Sequence, residues 1–331
     1  MVSSRWTLLH ARVHRTVRQR QLLQQQQRLL VAVSGGQDSL CLVRLLLDLQ
    51  PKWEWELAIA HCDHRWRSDS LANADYVESL AQAWNVKCHR AVAAEAVTTE
   101  AEARHWRYEV LATLAQSQGY SAVVTGHTAS DRAETLLYNL IRGSGADGLQ
   151  ALTWNRLLVP GVQLVRPLLE ITRTETAQFC QTAHLPIWED STNHDQRFAR
   201  NRIRQELLPY LQTHFNPQAE QALAQTAELL RADVEYLEMA VDLLWQQAVG
   251  TASHAEQLNR PVLQQAPLAL QRRVLRRFLQ TILPSAPRFE HIEKLAALIT
   301  APNRTQTDPF PGDAIAQVEG DWIVLRSNNN R

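Results

Sequence analysis

The segment Leu29 to Leu42, LLVAVSGGQDSLCL, joins an apolar run of strand length (29–33) to a second apolar run at helical spacing through six polar or small residues. Those six are Ser34, Gly35, Gly36, Gln37, Asp38 and Ser39. Two glycines between a buried strand and a helix let the backbone approach a ligand closely, and the successive amide N–H groups with the helix N-terminus form an anion nest. Ser34 and Ser39 add hydroxyl donors, and Asp38 adds a carboxylate suited to Mg²⁺. A tight strand-to-helix turn with Asp38 and Ser39 as caps would use the same residues. The lysine of the GxxxxGK(S/T) loop, which grips the β- and γ-phosphates, is missing here and throughout the chain.

Outward from this loop, strand-length and helix-length segments alternate. Strands are expected at 29–33, 57–61, 86–90, 121–125 and 162–168, and helices at 38–50, 70–84, 99–117, 129–142 and 173–183. Such alternation predicts right-handed βαβ crossovers and an α/β fold with a doubly wound, mostly parallel sheet. Ligands of these sheets bind beyond the carboxyl ends of the strands, at a switch in strand order. The polar loops after Val33 and Thr125 lie at such ends. From about residue 209 the pattern becomes helical: Asn216 and Pro217 open a long helix, others follow at about 266–281 and 288–300, and a terminal hairpin turns at Gly320. The expected organisation is a basic N-terminal helix (1–28), a nucleotide-binding catalytic domain (29–210) and a mainly helical C-terminal domain (211–331).

With 331 residues, 45% hydrophobic and 21% charged, the chain can bury a core and divide into two domains. No run of about 18 uncharged apolar residues occurs, so no membrane span is expected. Cys41, Cys62, Cys88 and Cys180 are far apart and form no CxxC, which argues against a disulfide framework, a zinc knuckle or a cysteine-held cluster. Basic and acidic residues balance at 34 each, so charge distribution carries more than net charge. Residues 1–37 hold Arg5, Arg12, Arg15, Arg18, Arg20 and Arg28 but no acid and no lysine. A surface helix facing an anionic partner fits better than an organelle transit peptide, because removing a transit segment would cut into the approach to the first strand; a cytoplasmic location is expected.

Five further stretches carry chemistry. HCDHRWRSDS places His61, Asp63, His64 and Arg67 within seven residues at the end of the second strand, compatible with interior histidines or a metal site. TTEAEARHWRYEVL puts Arg104 and Arg107 one helical turn apart. In VVTGHTASDRAETLLYNLIRGSG, Thr128 can cap a helix with Asp131 three residues on. Asp131 and Glu134 then share a face beside His127, a pair suited to a cationic amine or a metal. Arg272, Arg273, Arg276 and Arg277 make a basic ridge that is either a solvated helix face or a phosphate-contacting RNA surface. The stretch EDSTNHDQRFARNRIRQELLP (189–209) is the most selective of these and is explained only in part by turn residues and a helix start.

SGGQDS resembles the PP-loop of ATP pyrophosphatases, and the ordered set of motifs over about 25–210 resembles the tRNA(Ile)-lysidine synthetase family. His61-x-Asp63-His64-x-x-Arg67, RPLL (166–169) and the 189–209 stretch match in order, and LQRRVLRRFL with RFEHIEKL is similar to the family's first C-terminal domain. The family pattern G-H-x-x-D-D-x-x-E-T departs at two places: Ser130 stands where the first acid is usual, and Thr128 follows His127.

The resemblance implies a ligase that activates C2 of the wobble cytidine of CAU-anticodon tRNA(Ile) by adenylation, after which the ε-amine of L-lysine attacks and AMP leaves. ATP goes to AMP and pyrophosphate, and codon specificity changes from AUG to AUA. It implies ATP contacts from Ser34 to Ser39 with His61, Asp63 and His64, and lysine contacts from Arg107, Asp131 and Glu134. Mg²⁺ would be placed by Asp38, with Asp131 beside it. Asp38, His127, Asp131 and Glu134 would act in catalysis, with Glu134 or His127 accepting the amine proton. Arg67, Arg200, Arg204 and the 272–277 ridge would meet tRNA, and a homodimer is implied. The rivals are a PP-loop tRNA thiolase, which needs catalytic cysteines or a cluster, an amidotransferase-type synthetase, which needs an ammonia source, and a non-catalytic tRNA-binding protein.

Overall fold

The computed structural model describes residues 6–65, 69–95, 99–188, 195–250 and 257–327. The chain divides into two compact units, 1–231 and 232–331.

The first unit opens with α1 (Leu8–Gln19), capped by Thr7 in a capping box with His10 and burying Leu9, Val13 and Val17. The arginines expected to face an outside anion are in part committed inside the unit. Arg12 bonds Glu175, Arg20 bonds Glu170 and Glu228, and Arg28 bonds Glu56. Beyond α1 come β1 (Arg28–Ala32), α2 (Gln37–Trp53), β2 (Glu56–Asp63), α3 (Ser70–Ala83), β3 (Lys87–Val92), α4 (Glu100–Gln118), β4 (Ala122–Thr125) and α5 (Ala129–Ile141). They are followed by a short α6 (Ala146–Leu149), β5 (Asn155–Val159), β6 (Val162–Val165) and α7 (Arg173–Thr182).

The strands form one sheet in the order β3-β2-β1-β4-β6-β5. All neighbours are parallel except β5, which pairs antiparallel with β6 at the edge. The mostly parallel doubly wound sheet expected from the alternation is therefore present, with β5 as an added edge strand. Leu29, Leu30, Val31, Ile59, Val123 and Val124 are fully buried, as strands covered on both faces must be. The chain leaves β1 toward β2 and returns as β4 on the other side of β1, so the β1/β4 boundary is the switch point. The loops after Val33 and Thr125 both open there.

Downstream, α8 (Ala199–Arg202) runs through a π-turn (Ile203–Leu207) into α9 (Leu208–His214). Pro209 in the first turn of α9 has no N–H to continue the ladder, a sufficient reason for the irregular turn before it. The long α10 (Ala219–Ala248) contains the boundary between the units.

In the second unit, β7 (Gln257–Asn259) leads through α11 (Arg260–Gln265) to α12 (Leu268–Ile282) and α13 (Phe289–Ala297). Then β8 (Ala314–Glu319) and β9 (Trp322–Ser327) form the expected hairpin, with Gly320 at φ +60° in its turn. The sheet order is β7-β9-β8. Val274, Leu275, Phe278, Leu279, Leu295 and Ile323 make its core. No helix among the described residues is long and apolar enough to cross a membrane.

Candidate active site

Gly35 has φ +87°, and an added Cβ would fall 2.8 Å from Asn73 Nδ2; the loop after β1 therefore turns where only glycine fits without strain. Within it Ser39 Oγ donates to the Gly36 carbonyl (2.8 Å) and accepts from Ser34 N–H (3.2 Å), which sets the hydroxyls inside the turn. Gly36 caps α2 without a side-chain bond, leaving its first amides for a ligand. The loop is held from outside by Trp188, whose N–H donates to the Gly35 carbonyl (3.0 Å). The Gln37 side chain faces α7 instead, donating to the Arg173 carbonyl (2.6 Å) and Thr176 Oγ1 (2.7 Å).

Thr128 caps α5 as expected, its N–H and hydroxyl both donating to Asp131 Oδ2 at 2.8 Å. Asp131 Oδ1 is left to point into the site, and Glu134, 2% exposed, lies one turn on. The organising cation is Arg173, the first residue of α7. Its Nε donates to Asp38 (2.9 Å), Nη1 to Glu134 (2.8 Å) and Nη2 to Asp131 (2.8 Å). Arg204, from the π-turn, forks onto Glu134 at 2.7 and 3.0 Å. Thr176 donates a second bond to Asp38 (2.5 Å).

Burial raises the Asp38 carboxyl despite Arg173. Burial also works against the Asp131 anion, yet Arg173, His127 and the Thr128 bonds outweigh it and hold this carboxyl below its usual range. Arg173 is driven up because Asp131, Asp38 and Glu134 together outweigh its burial. His127, hydrogen bonded to Thr125 Oγ1 (2.9 Å), is kept neutral chiefly by burial. At position 130 the serine hydroxyl donates to Glu220 of α10 and accepts from Arg173 N–H (2.9 Å). A carboxylate thus stands beside position 130 although the chain carries none there.

Asp38, His127, Asp131, Arg173 and Arg204 line one cavity of about 960 Å³, bounded by the 34–39 loop, the ends of β2 and β4, Trp188 and residues 198–205, while Glu134 lies outside its lining, held by Arg173 and Arg204. His61 donates from Nδ1 to the Val33 carbonyl (2.8 Å), and Asp63 accepts from Arg65 N–H (2.8 Å). His64 packs edge-on against Trp106 and is lowered to about 4, mainly by burial and then by Arg107. Five arginines (Arg104, Arg107, Arg173, Arg200, Arg204) face three aspartates (Asp38, Asp63, Asp131) in the lining, so the cavity favours a polyanion.

Arg67 and residues 189–194 lie outside the described residues. Arg272 pairs with Glu293 at 2.7 Å, Arg273 with Glu238 at 2.6 Å, and Arg277 with Glu238 and Asp242 at 2.8 and 2.6 Å. Arg276 shares their helix in the second unit. Sequence reasoning passed over Arg173, Thr176 and Glu220. The one local signal was a basic residue in the first turn of a helix, where the macrodipole disfavours it.

Fold and site together define an ATP-using PP-loop domain, and residues 9–211 match the family model described as PP-loop domain. Residues 258–320 match the TilS substrate binding domain. The chain is 65% identical to the tRNA(Ile)-lysidine synthase of Nostoc sp. over 98% of its own length and 99% of that protein's. It is 52% identical to the tRNA(Ile)-lysidine synthase of Synechocystis sp. over 96% and 97%. The chain belongs to the tRNA(Ile)-lysidine synthase family. Among solved structures, the U34-tRNA thiolase of Methanococcus maripaludis superposes with a TM-score of 0.56 over 67% of this chain and 78% of that one, at 13% identity, a likeness of fold.

Proposed function

We propose that this protein ligates L-lysine to C2 of the wobble cytidine of CAU-anticodon tRNA(Ile), consuming ATP. The observation that carries the reading is the single cavity joining the 34–39 loop to Asp131 and its neighbour Glu134, under a lining rich in arginine. In the first half-reaction the cytidine O2 attacks the α-phosphate of ATP and pyrophosphate leaves; in the second the ε-amine of lysine attacks C2 and AMP leaves. Membership in the lysidine synthase family favours this over thiolation, with which the chain shares a fold at 13% identity.

The loop amides, Ser34 and Ser39 hold the phosphates, while Arg173 lies where negative charge develops on the leaving group. His61, Asp63 and His64 close the nucleotide side of the cavity. Asp38 and Asp131 already share one cation, the Arg173 guanidinium, so their donor chemistry fits Mg²⁺ as well. When bound there, the metal would neutralise phosphate charge. Asp131 and Glu134 suit the ammonium groups of lysine, and Arg107 its α-carboxylate.

Free lysine is protonated at neutral pH, so the amine must lose a proton before attack. His127 is neutral and accessible to the cavity but weakly basic. Glu134, held by Arg173 and Arg204, is the other candidate acceptor once they release it. Arg200 and Arg204 line the cavity as cations for the tRNA backbone, Arg204 after exchanging Glu134 for a phosphate. The ridge arginines 272, 273 and 277 would trade internal acids for phosphates on binding RNA. The test is incubation with ATP, labelled lysine and the minor tRNA(Ile). Label must enter this tRNA and must not enter a G-for-C wobble variant; absence of label from both overturns the proposal.

A further inference from the structure

This inference rests on the lysine reading above. In the structure the two acids suited to an ammonium are already largely engaged from within the chain, each accepting three hydrogen bonds. Asp131 Oδ2 takes both Thr128 donors and Oδ1 takes Arg173. Glu134 Oε1 takes Arg173 and Arg204, and Oε2 takes Arg204. A lysine ammonium has three N–H donors while each acid keeps about one open acceptor site, so it is fully served only when a guanidinium gives way. Arg204 grips Glu134 by a two-point fork. Arg173 instead divides its donors among three carboxylates, and one of the three, Asp38, belongs to the phosphate loop.

Guanidinium pairs as well with phosphate as with carboxylate, often through two parallel bonds. A polyphosphate seated in the 34–39 loop brings several negative charges to the Asp38 side of Arg173. We propose that Arg173 is a two-position cation: without nucleotide it covers Asp131 Oδ1 and shares Glu134 Oε1 with Arg204, and with nucleotide it turns about Asp38 onto the phosphates and frees those two positions for lysine while Arg204 stays on Glu134. Arg173 is then a positioning residue that makes lysine binding conditional on ATP. An empty site refuses lysine, and nucleophile and activated cytidine meet only where a phosphate is already in place.

The test is equilibrium dialysis of labelled L-lysine against the full chain, with and without α,β-methylene-ATP, at constant Mg²⁺. The nucleotide should tighten lysine binding in wild type by about tenfold or more, a typical coupling between sites. By reciprocity, lysine should tighten nucleotide binding by the same factor. Arg173→Gln should bind lysine without nucleotide about as well as wild type does with it, and the ratio should fall to within roughly twofold of unity. Arg204→Gln should raise lysine affinity in both states and keep the ratio. Equal lysine affinity with and without nucleotide in wild type overturns the proposal even if Arg173→Gln does not fold; so does a full ratio retained by folded Arg173→Gln. Absence of saturable lysine binding under every condition, with nucleotide binding intact, would instead remove the lysine reading itself.

Discussion

Gly126→Ala probes the contact on which the phosphate loop depends. Gly126 ends β4 against the first turn of α2, and an added Cβ would lie 2.9 Å from the Asp38 carbonyl oxygen, 3.0 Å from its carbon and 3.1 Å from Ser39 N. Ordinary contact begins near 3.4 Å, so the shortfall is about 0.3–0.5 Å against three backbone atoms, none of them the tip of a flexible side chain. Either the end of β4 or the start of α2 must shift. Overpacking of this kind costs about 1–3 kcal/mol, which lowers Tm by roughly 2–4 °C per kcal/mol in a unit of this size. The same shift moves Asp38 and Ser39 off the phosphate position, and a displacement approaching 1 Å weakens reaction by up to about a hundredfold. Thermal unfolding and ATP titration of the purified variant measure both effects. Gly145→Ala is the control, because no atom lies within 4 Å of its added Cβ and its φ of −70° suits alanine. If Gly126→Ala melts within about 0.5 kcal/mol of wild type, as neutral surface changes do, and binds ATP equally well, the close-approach reasoning is wrong.

Three further outcomes are expected. Ser130→Asp sets a second carboxylate against Glu220 and should lower stability, whereas the double variant with Glu220→Gln recovers it, with a coupling of about 0.5–3 kcal/mol in a double-mutant cycle; additive effects would mean that Glu220 is not the acid serving position 130. Glu134→Gln should slow lysine transfer by about a hundredfold or more while adenylate formation falls less, and His127→Gln should reveal by the same two assays whether it shares the proton; equal loss in both half-reactions excludes a base role for the residue changed. Finally, Tm should fall as pH drops from 7 toward 4. His64 is lowered to about 4, and His127 is lowered too, so the unfolded chain takes up protons below about 6.5 that the folded site refuses. Asp131, depressed, adds a loss of the same sign at still lower pH, and Asp38, raised, opposes both. His64→Gln should flatten the slope between pH 6.5 and 5, and an unchanged slope would rule out His64 as its source.

What could be read from the sequence was what is built locally. The 34–39 loop is complete in a dozen residues, because strand, glycine turn and helix N-terminus are consecutive, and the Thr128–Asp131 cap is a three-residue event. Strand β5 went unread for a physical reason: Asn155, Arg156 and Leu157 are all exposed on an antiparallel edge, so this strand lacks the buried run that marks its parallel neighbours. The basic ridge of α12 was legible as a ridge. Its acids Glu238, Asp242 and Glu293 lie 21 to 39 residues away, so its internal pairing was not. Gln37 belongs to the same category: its motif position is local, but its side chain serves Thr176, 139 residues on.

The same division separates what this chain shares with other PP-loop proteins from what distinguishes it. A phosphate cradle made of consecutive residues depends only on the local strand-loop-helix, whereas the thiolase at 13% identity is a likeness of fold alone. The charged cluster proposed to receive the amine is assembled from α5, α7 and the π-turn, with Asp131, Arg173 and Arg204 drawn from segments 31 to 73 residues apart. Its specificity therefore depends on how those segments pack, and Arg173 is the residue through which both halves touch. Substitutions that leave SGGQDS intact but disturb the packing of α7 on α2 should weaken lysine transfer more than nucleotide binding, because Thr176 and Arg173 of α7 hold Asp38 while the bonds that set Ser34 and Ser39 lie within the loop; an ATP affinity that falls as far as lysine transfer would refute this division.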